Sequence, residues 1–395
     1  MHGFPPPPDG QVTLANWRTS PFNRWAFHHV RELLPSADIA NDPATALPFP
    51  SASVDTSALR IGRDGGQALS LEGFLEETNT DALVIVHRGR VVFERYARGM
   101  TADSPHILMS VSKSLLGLLA GVLGARGALD PDRPVTDVVP EVSGTAYEGA
   151  TVRHLLDMRA GIDFDEDYLA TSGPIVAYRK ATGWNPLEPG DPVSDQRAFY
   201  RELTRSDGAH GGALHYVSPN TDLLGWIIER ATGARYADLM SELLWQPMGA
   251  ARSAYITVDR LGAPRCAGGV CATVRDLARV GQLIIEGGAL GSRQIVPERW
   301  IDDITRRGDP QAWAAGDLAS YFPGLPLRYR SQWYAVDGKP PMLFGLGVHG
   351  QHVFIDRARG AVIAKVSSQA LPLDGERITL TMRAAAAITE FLEPT

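Results

Sequence analysis

The chain has 395 residues, more than one average domain needs, so we expect two packed lobes. Its net charge of −7 gives no basic footprint and argues against a nucleic-acid partner. The longest uncharged apolar stretch, residues 114–125, is too short to span a bilayer, and the Pro-rich start lacks the apolar segment of a secretory signal. We therefore expect a cytoplasmic protein with no membrane partner.

The first elements in chain order are an N-terminal arm and a β-hairpin. Residues 1–50 are rich in Pro and Ala, which predicts an extended arm wrapped on the surface. Residues 81–96 carry β-branched and apolar residues on both sides of Arg88-Gly89. This pattern predicts two strands with their turn at or near that pair.

A nearly all-apolar helix follows, and a serine and a lysine stand at its start. Only four of the 38 basic residues are lysines, and one of them, Lys113, lies three residues after Ser110. Residues at i and i+3 are neighbours on a helix, and a lysine, unlike an arginine, can act as a base. A Ser N-cap followed by an exposed Lys would also explain the spacing. Below the pair, Gly117, Gly121 and Gly124 form a strip of small residues.

A lysine can serve as a base only if its pKa is lowered. At its ordinary pKa a lysine is neutral in only about one molecule in a thousand near pH 7.4. Burial and a positioned partner must therefore favour the neutral form of Lys113. We expect that partner elsewhere in the chain.

Residues 163–184 begin acidic and turn basic. Asp163, Asp165, Glu166 and Asp167 come first, and Arg179-Lys180 follow. The alternating aspartates resemble the start of a calcium loop, but its positions six and twelve hold Tyr168 and Pro174, which excludes an EF-hand. The ten histidines show no metal spacing either. We expect no metal and no cofactor.

The candidate partner of the lysine is Tyr216 in the phrase Tyr216-Val217-Ser218-Pro219. Ser218 and Pro219 predict the N-cap and first residue of a helix that ends at Gly233. Tyr216 then lies on a loop just before this helix, where a phenol can point into a cleft. Taken alone, packing would explain the tyrosine and capping would explain Ser218.

Cys266 and Cys271 close the central region, and strands follow it. We interpret both cysteines as thiols packed in the core, because their spacing lacks the second half of a zinc site. Residues 345–352, 352–356 and 362–367 predict strands, and residues 379–392 predict a helix. Residues 306–342 show no clear period and predict a long loop near the cleft.

Strands at both ends with helices between them predict an α/β (α+β) fold. The sheet would be antiparallel and built from both termini, with flanking helices. Its lobe would comprise residues 1–105 and 295–395, and residues 106–294 would form an all-helical lobe. We expect the active site in the cleft between the lobes.

Three motifs together resemble those of a known family, the serine penicillin-recognising fold of class C β-lactamases, D,D-peptidases and their esterase relatives. The motifs are Ser110-x-x-Lys113, Tyr216-Val217-Ser218 and Gly345-Leu346-Gly347-Val348-His349-Gly350. Further phrases are most similar to the 6-aminohexanoate-dimer (nylon-oligomer) hydrolases: Asn23-Arg24-Trp25-Ala26-Phe27, Met109-Ser110-Val111-Ser112-Lys113-Ser114, Ser218-Pro219-Asn220-Thr221-Asp222, Arg275-Asp276-Leu277-Ala278-Arg279-Val280-Gly281 and Val348-His349-Gly350-Gln351. The resemblance covers nearly the whole chain and implies the same fold, with a homodimer as one further expectation.

The resemblance also implies catalytic roles. Ser110 would be the acylated nucleophile, Lys113 the group that takes its proton, and Tyr216 the relay to the leaving group. The backbone N–H groups of Ser110 and Val348 would form the oxyanion hole.

Three further residues are candidates for contacting the substrate. Tyr168 matches a family position that faces the substrate across the cleft. Ser218 belongs to the second motif. Trp333 is a candidate for the cleft wall, with the core as the alternative.

Two departures narrow the expected chemistry. The chain has Tyr216-x-Ser218 where β-lactamases have Tyr-x-Asn, and Gly345-Leu346-Gly347 where they have Lys-Thr-Gly. The cation that grips the carboxylate of a β-lactam is thus missing from its usual strand, which favours esterase or amidase chemistry. A substrate with a free ammonium would need a carboxylate in the pocket, and either end of residues 163–184 could face it.

We therefore predict a serine hydrolase that acts on small amides or esters through an acyl-enzyme. It would resemble the 6-aminohexanoate-dimer hydrolases and have carboxylesterase activity. Two alternatives stay open at this point: transfer of the acyl group to an acceptor other than water, and a binding protein of the same fold without turnover.

Overall fold

The computed structural model describes residues 1, 3–338 and 341–393. Its strands are β1 (Ser36–Ile39), β2 (Thr80–His87), β3 (Arg90–Tyr96), β4 (His106–Ile107), β5 (Ala254–Thr257), β6 (Val270–Ala272), β7 (Ala289–Leu290), β8 (Arg293–Gln294), β9 (Leu327–Arg330), β10 (Trp333–Val336), β11 (Met342–Gly347), β12 (Gln351–Asp356) and β13 (Ala361–Ser367). Its α-helices are α1 (Asn23–Ala26), α2 (Leu71–Glu77), α3 (Val111–Ala125), α4 (Val135–Val138), α5 (Val152–Leu156), α6 (Pro174–Ala181), α7 (Gln196–Phe199), α8 (Ser218–Thr232), α9 (Tyr236–Met240), α10 (Val274–Ile285), α11 (Glu298–Arg306), α12 (Pro310–Ala314) and α13 (Gly375–Phe391).

Both ends of the chain build the main sheet, as predicted. Its seven strands run in the order β3-β2-β13-β12-β11-β10-β9, and all neighbours pair antiparallel. The predicted hairpin is β2–β3, with Arg88 and Gly89 at φ 49° and 73° between the paired residues His87 and Arg90. Positive φ at both turn residues matches the right-handed twist of the strands. The mixed helical and antiparallel fold class is therefore confirmed.

The prediction of a long loop over residues 306–342 was wrong. This segment contains α12 and the strands β9 and β10, which form one edge of the main sheet. Each strand has only four residues, and Ser331 and Gln332 turn between them at φ 47° and 70°. A run of four residues is too short for its alternation to stand out in the sequence.

The central region is not purely helical. It supplies β4, β5 and β6 of a second, four-stranded sheet of order β1-β5-β6-β4, in which β1 comes from the N-terminal arm. Helix α10, which we expected in the helical lobe, packs on β2, β12 and β13 of the main sheet. A Cβ at Gly281 of α10 would lie 2.4 Å from Cγ1 of Val362, so this helix rests directly on the strands. The predicted lobe boundary near residue 294 is therefore too far along the chain, because α10 packs with the main sheet.

Residues 12–39 of the N-terminal arm contribute to the core, whereas most of the described residues of 1–11 and 40–50 are exposed, as expected of a surface arm. Trp17 and Phe27 are fully buried, in one apolar cluster with Met109 and Trp184. The indole N–H of Trp17 donates to the Trp184 carbonyl at 3.1 Å. The arm therefore fixes the segment around Trp184 beside the start of α3.

Two further observations concern the cysteines and the lengths of the helices. Cys266 and Cys271 are buried free thiols, as predicted. None of the described helices is long and apolar enough to cross a membrane.

Helix α3 is buried from Val111 to Leu123, and two of its glycines explain how closely it is packed. A Cβ at Gly117 would lie 2.1 Å from the backbone oxygen of Ser331, and one at Gly121 would lie 2.3 Å from the ring of Trp300. A Cβ at Gly124 would meet nothing closer than an oxygen at 3.6 Å. The strip of small residues is therefore a packing surface at its first two positions only.

This difference predicts opposite effects of two matched substitutions. Gly117→Ala should lower the free energy of unfolding by about 2 kcal/mol or more, because the backbone of Ser331 must move. Gly124→Ala should be neutral or raise it by up to about 1 kcal/mol, because Ala is the better helix former. Urea unfolding of both variants checks this, and equal effects would contradict the packing described.

Candidate active site

The candidate site is a cleft of about 380 Å³ where the starts of α3 and α8 meet the end of β11. Its lining includes Ser110, Glu166, Tyr168, Ser218 and Val348. These residues come from widely separated parts of the sequence. The fold thus brings the three predicted motifs to one place.

Ser110 directly precedes the first residue of α3, and a strained residue positions it. Met109 has φ 45°, a left-handed conformation that non-glycine residues rarely adopt. Such strain persists only where the surrounding structure enforces it, and here Met109 is buried. The turn presents the Ser110 side chain to the cleft at the positive end of the helix dipole.

Lys113 lies beneath Ser110 and is only 1% exposed. Its Nζ is 2.8 Å from Ser110 Oγ, 3.2 Å from Ser218 Oγ and 2.9 Å from the Ala267 carbonyl oxygen. Burial lowers the pKa of Lys113 to about 7, and the charge of Glu166 partly opposes that effect. A substantial fraction of Lys113 is therefore neutral at neutral pH and can take a proton from Ser110. An exposed lysine in a capped helix is excluded.

Tyr216 lies on the other side of the same pair. Lys113 Nζ is 4.9 Å from its ring centroid, and its hydroxyl is within reach of Ser110. The rings of Tyr329 and Tyr334 pack against it, at 6.0 and 6.3 Å between centroids. Burial raises the pKa of Tyr216 above its ordinary value, so the phenol keeps its proton near neutral pH. Tyr216 can hence relay a proton but does not act as a standing phenolate.

Ser218 does not cap α8 as the sequence predicted. It is the first residue of α8, and its side chain makes no capping hydrogen bond. Instead its Oγ accepts from Lys113 and donates to Glu166, whose second oxygen accepts from the Ser218 backbone N–H at 2.8 Å. Capping as the explanation of Ser218 was wrong.

Glu166 is the charged residue that sequence reasoning did not assign. Its carboxylate lines the cleft, holds Ser218 and raises the pKa of Lys113. The only signal was its place in a run of four acidic residues, which did not distinguish it from Asp165 or Asp167. Its hydrogen bonds with Ser218 at the start of α8 distinguish Glu166 from these two neighbours.

The end of β11 approaches the start of α3 closely at Gly347. A Cβ there would lie 2.7 Å from the Leu108 carbonyl oxygen and 2.9 Å from the Ser110 backbone nitrogen. Only glycine allows this approach, and it brings Val348 next to Ser110 at the cleft surface. Beyond it, His349 has φ 62° and exchanges backbone and side-chain hydrogen bonds with Gln369. The two predicted oxyanion-hole residues are thus neighbours.

Of the two remaining candidates for contacting the substrate, Tyr168 lies in the cleft and Trp333 does not. Tyr168 lines the cleft beside Glu166, and burial raises its pKa. Trp333 lies in the core at 0% exposure, and its indole N–H donates to the Ser114 carbonyl at 3.0 Å. It packs under α3 and cannot form the cleft wall, so its place among the substrate contacts is corrected to the core alternative.

A buried ionic network fixes the carbonyl that Lys113 contacts. Asp222 pairs with Arg265 and accepts hydrogen bonds from the Tyr178 hydroxyl and, at 2.7 Å, from the Ala267 backbone N–H. Ala267 in turn offers its carbonyl to Lys113. The network connects α6, α8 and the loop before β6, and no local sequence motif predicted it. Among the described residues no cluster of three or more His, Cys, Asp or Glu could hold a metal ion.

A buried Ser–Lys pair, a protonated tyrosine beside it and an antiparallel sheet with a helical insertion define a serine hydrolase of the penicillin-recognising fold. The chain belongs to the β-lactamase family, which its residues 71–387 match.

Its relatives in this family include hydrolases of amides and esters. The chain is 39% identical over 366 residues to the 6-aminohexanoate-dimer hydrolase of Paenarthrobacter ureafaciens, covering 92% of this chain and 90% of that protein. It is 27% identical over 220 residues to esterase EstB of Burkholderia gladioli, covering 52% and 54% of the two chains. A solved structure from Bacillus anthracis, assigned as a 6-aminohexanoate-dimer hydrolase, superposes with a TM-score of 0.89 at 27% identity over 98% of both chains. The resemblance stated from the motifs is confirmed.

Proposed function

We propose that the protein hydrolyses small esters or amides through an acyl-enzyme on Ser110. The observation that carries this proposal is the 2.8 Å contact between Ser110 Oγ and the Nζ of the buried Lys113. A lysine with its pKa near 7 can accept a proton where an ordinary lysine cannot. The named activities of the amide and ester hydrolase relatives support the same chemistry.

In the acylation step neutral Lys113 takes the Ser110 proton while Oγ attacks the substrate carbonyl carbon. The resulting oxyanion receives hydrogen bonds from the backbone N–H groups of Ser110 and Val348. When the tetrahedral intermediate collapses, the bond to the leaving group breaks. The leaving group then takes a proton through Tyr216, which recovers one from Lys113.

Deacylation repeats these proton transfers in reverse, with water as the nucleophile. Lys113 and Tyr216 serve both half-reactions, and Glu166 acts on them through Ser218 and through its charge. Gly345 and Leu346 stand where a β-lactamase presents its cation, which supports esters and amides over β-lactams as substrates. Tyr168 would contact the substrate from the opposite wall.

Rapid mixing with p-nitrophenyl butyrate tests this proposal. We expect a burst of p-nitrophenolate equal to the enzyme concentration, and a butyryl adduct on the peptide that carries Ser110 in acid-quenched samples. An adduct on another residue, with Ser110 unmodified throughout the time course, would contradict the proposal. Mass spectrometry of the digested protein distinguishes the two results.

We also propose a cytoplasmic location, supported by the two buried thiols, which fit a reducing compartment. A homodimer stays a prediction. Neither bears on the chemistry at Ser110.

A further inference from the structure

The catalytic cleft contains more positive charge than its chemistry uses. Besides Glu166, its charged lining residues are Arg18, Arg179 and Arg265. Arg265 is neutralised by its ion pair with Asp222. Glu166 keeps its charge while it accepts two hydrogen bonds from Ser218, and that charge partly offsets Arg179. Arg18 and Arg179 form no ion pair with a described residue, and we call them the arginine end of the cleft.

Arg18 comes from the N-terminal arm and meets no carboxylate in the described part of the chain. Its guanidinium lies 5.6 and 5.8 Å from the ring centroids of Trp17 and Trp184, and it donates to the side-chain oxygen of Asn185. Its Nε is buried without a hydrogen-bond partner in the described part of the chain. Burial, followed by the charges of Arg179 and Arg265, lowers the pKa of Arg18 to about 9. Nothing among the described residues offsets this charge.

Arg179 likewise has no carboxylate as a direct partner among the described residues. It donates to the backbone carbonyls of Asp167 and Ala170 at 3.2 and 3.3 Å, and it forms no ion pair with a described residue. Burial lowers its pKa as well, although the charges of Glu166 and Asp167 oppose the effect. Two guanidinium groups with only neutral direct partners therefore line the same end of the cleft. An anion bound between them would relieve the repulsion that each imposes on the other.

The surroundings of Tyr216 carry the opposite charge. A neighbouring depression, which shares Glu166, Tyr168, Leu169 and Pro372 with the cleft, is lined by Tyr216 together with Asp165, Asp167 and Asp317. Because Tyr216 would protonate the leaving group, the leaving group should lie on this acidic side. The acyl part of the substrate is then directed toward the arginine end.

We propose that Arg18 and Arg179 form a carboxylate-binding subsite, so that the acyl part of the substrate carries an anionic terminus. The substrate class is then monoesters or monoamides of dicarboxylic acids. A planar guanidinium can bind both oxygens of a carboxylate, and two of them fix its direction. This inference rests on the proposed function, because it assigns the acyl side from the role of Tyr216.

The test compares mono-p-nitrophenyl esters of adipate, pimelate and suberate with the same esters methylated at the distal carboxylate. Each pair shares its leaving group and chain length and differs by one charge. For at least one length we expect kcat/KM to be roughly tenfold or more higher for the anion, as one charge-assisted contact allows. Equal or lower values for all three anions would overturn the subsite.

Arg18→Gln should reduce this anion preference by roughly tenfold. Arg24→Gln is the matched control, since Arg24 lies exposed on the same arm and the substitution removes the same charge. An equal fall in both variants would mean a long-range effect of net charge and would overturn the subsite. If Arg18→Gln does not fold, the wild-type comparison still decides the question.

The failure of the subsite can be separated from failure of the proposed function. A Ser110 adduct formed equally from charged and methylated esters would refute only the carboxylate subsite. Absence of a Ser110 adduct from every ester would refute the acyl-enzyme proposal itself.

Discussion

Ser110→Ala is expected to lower kcat for p-nitrophenyl butyrate by about ten-thousandfold or more, the usual cost of removing a catalytic nucleophile. The alanine removes the hydroxyl that would attack the substrate, so no acyl-enzyme forms. The backbone N–H groups at the cleft remain, which predicts a small residual rate above that in water. Steady-state rates and the absence of the burst check this result.

Ser114→Ala is the control for that experiment. Ser114 belongs to the same phrase, but its hydroxyl donates to the Gln332 carbonyl at 3.0 Å, away from the cleft. Its loss should lower the melting temperature and leave most of the activity. Equal inactivation of both variants would show that damage to α3, and not loss of a nucleophile, explains the effect.

Lys113→Arg is expected to lower kcat/KM by about a thousandfold or more, within the range lost with a general base and a disturbed nucleophile. The charge is kept, but a guanidinium cannot accept the Ser110 proton. Lys113→Met, which is uncharged and of similar length, should be inactive to a similar degree. A Met variant that kept most of the activity would exclude Lys113 as the base.

We expect the same residue to set the pH dependence. Only neutral Lys113 can take the proton, so kcat/KM of the wild type should rise with pH through about 7, the pKa to which burial lowers this lysine. Glu166 raises that pKa, and removing its charge in Glu166→Gln should move the rise to lower pH. An unmoved rise would assign it to a group other than Lys113.

The energetic arrangement around Lys113 explains why these effects should be large. Desolvation favours its neutral form, while Glu166 and Asp222 favour the charged form. The balance leaves both forms populated near neutral pH, as a group that accepts and returns a proton requires. Desolvation alone would keep the lysine neutral, and the two carboxylates alone would keep it protonated.

Some of the fold could be predicted because its signals are local. The hairpin at Arg88-Gly89 and the apolar helix α3 follow from short-range patterns of turn residues and side-chain polarity. The strands β9 and β10 could not be predicted, because the alternation of polar and apolar residues is too short over four residues to be recognised. Trp333 was a candidate for the cleft wall with the core as the alternative, since an aromatic residue on a short strand fits either side equally well, and it lies in the core.

The sequence by itself was enough to predict the proposed Ser110–Lys113 pair, the start of α8 and the family, because Ser110 and Lys113 are one helical turn apart and the other motifs are contiguous phrases. Only the tertiary structure decided that Lys113 is buried, that Glu166 rather than its acidic neighbours reaches Ser218, and that Arg18 of the N-terminal arm faces the cleft with Arg179. The physical reason is distance along the chain. Burial, desolvation and charge pairing depend on which remote segments meet, and no local pattern records that.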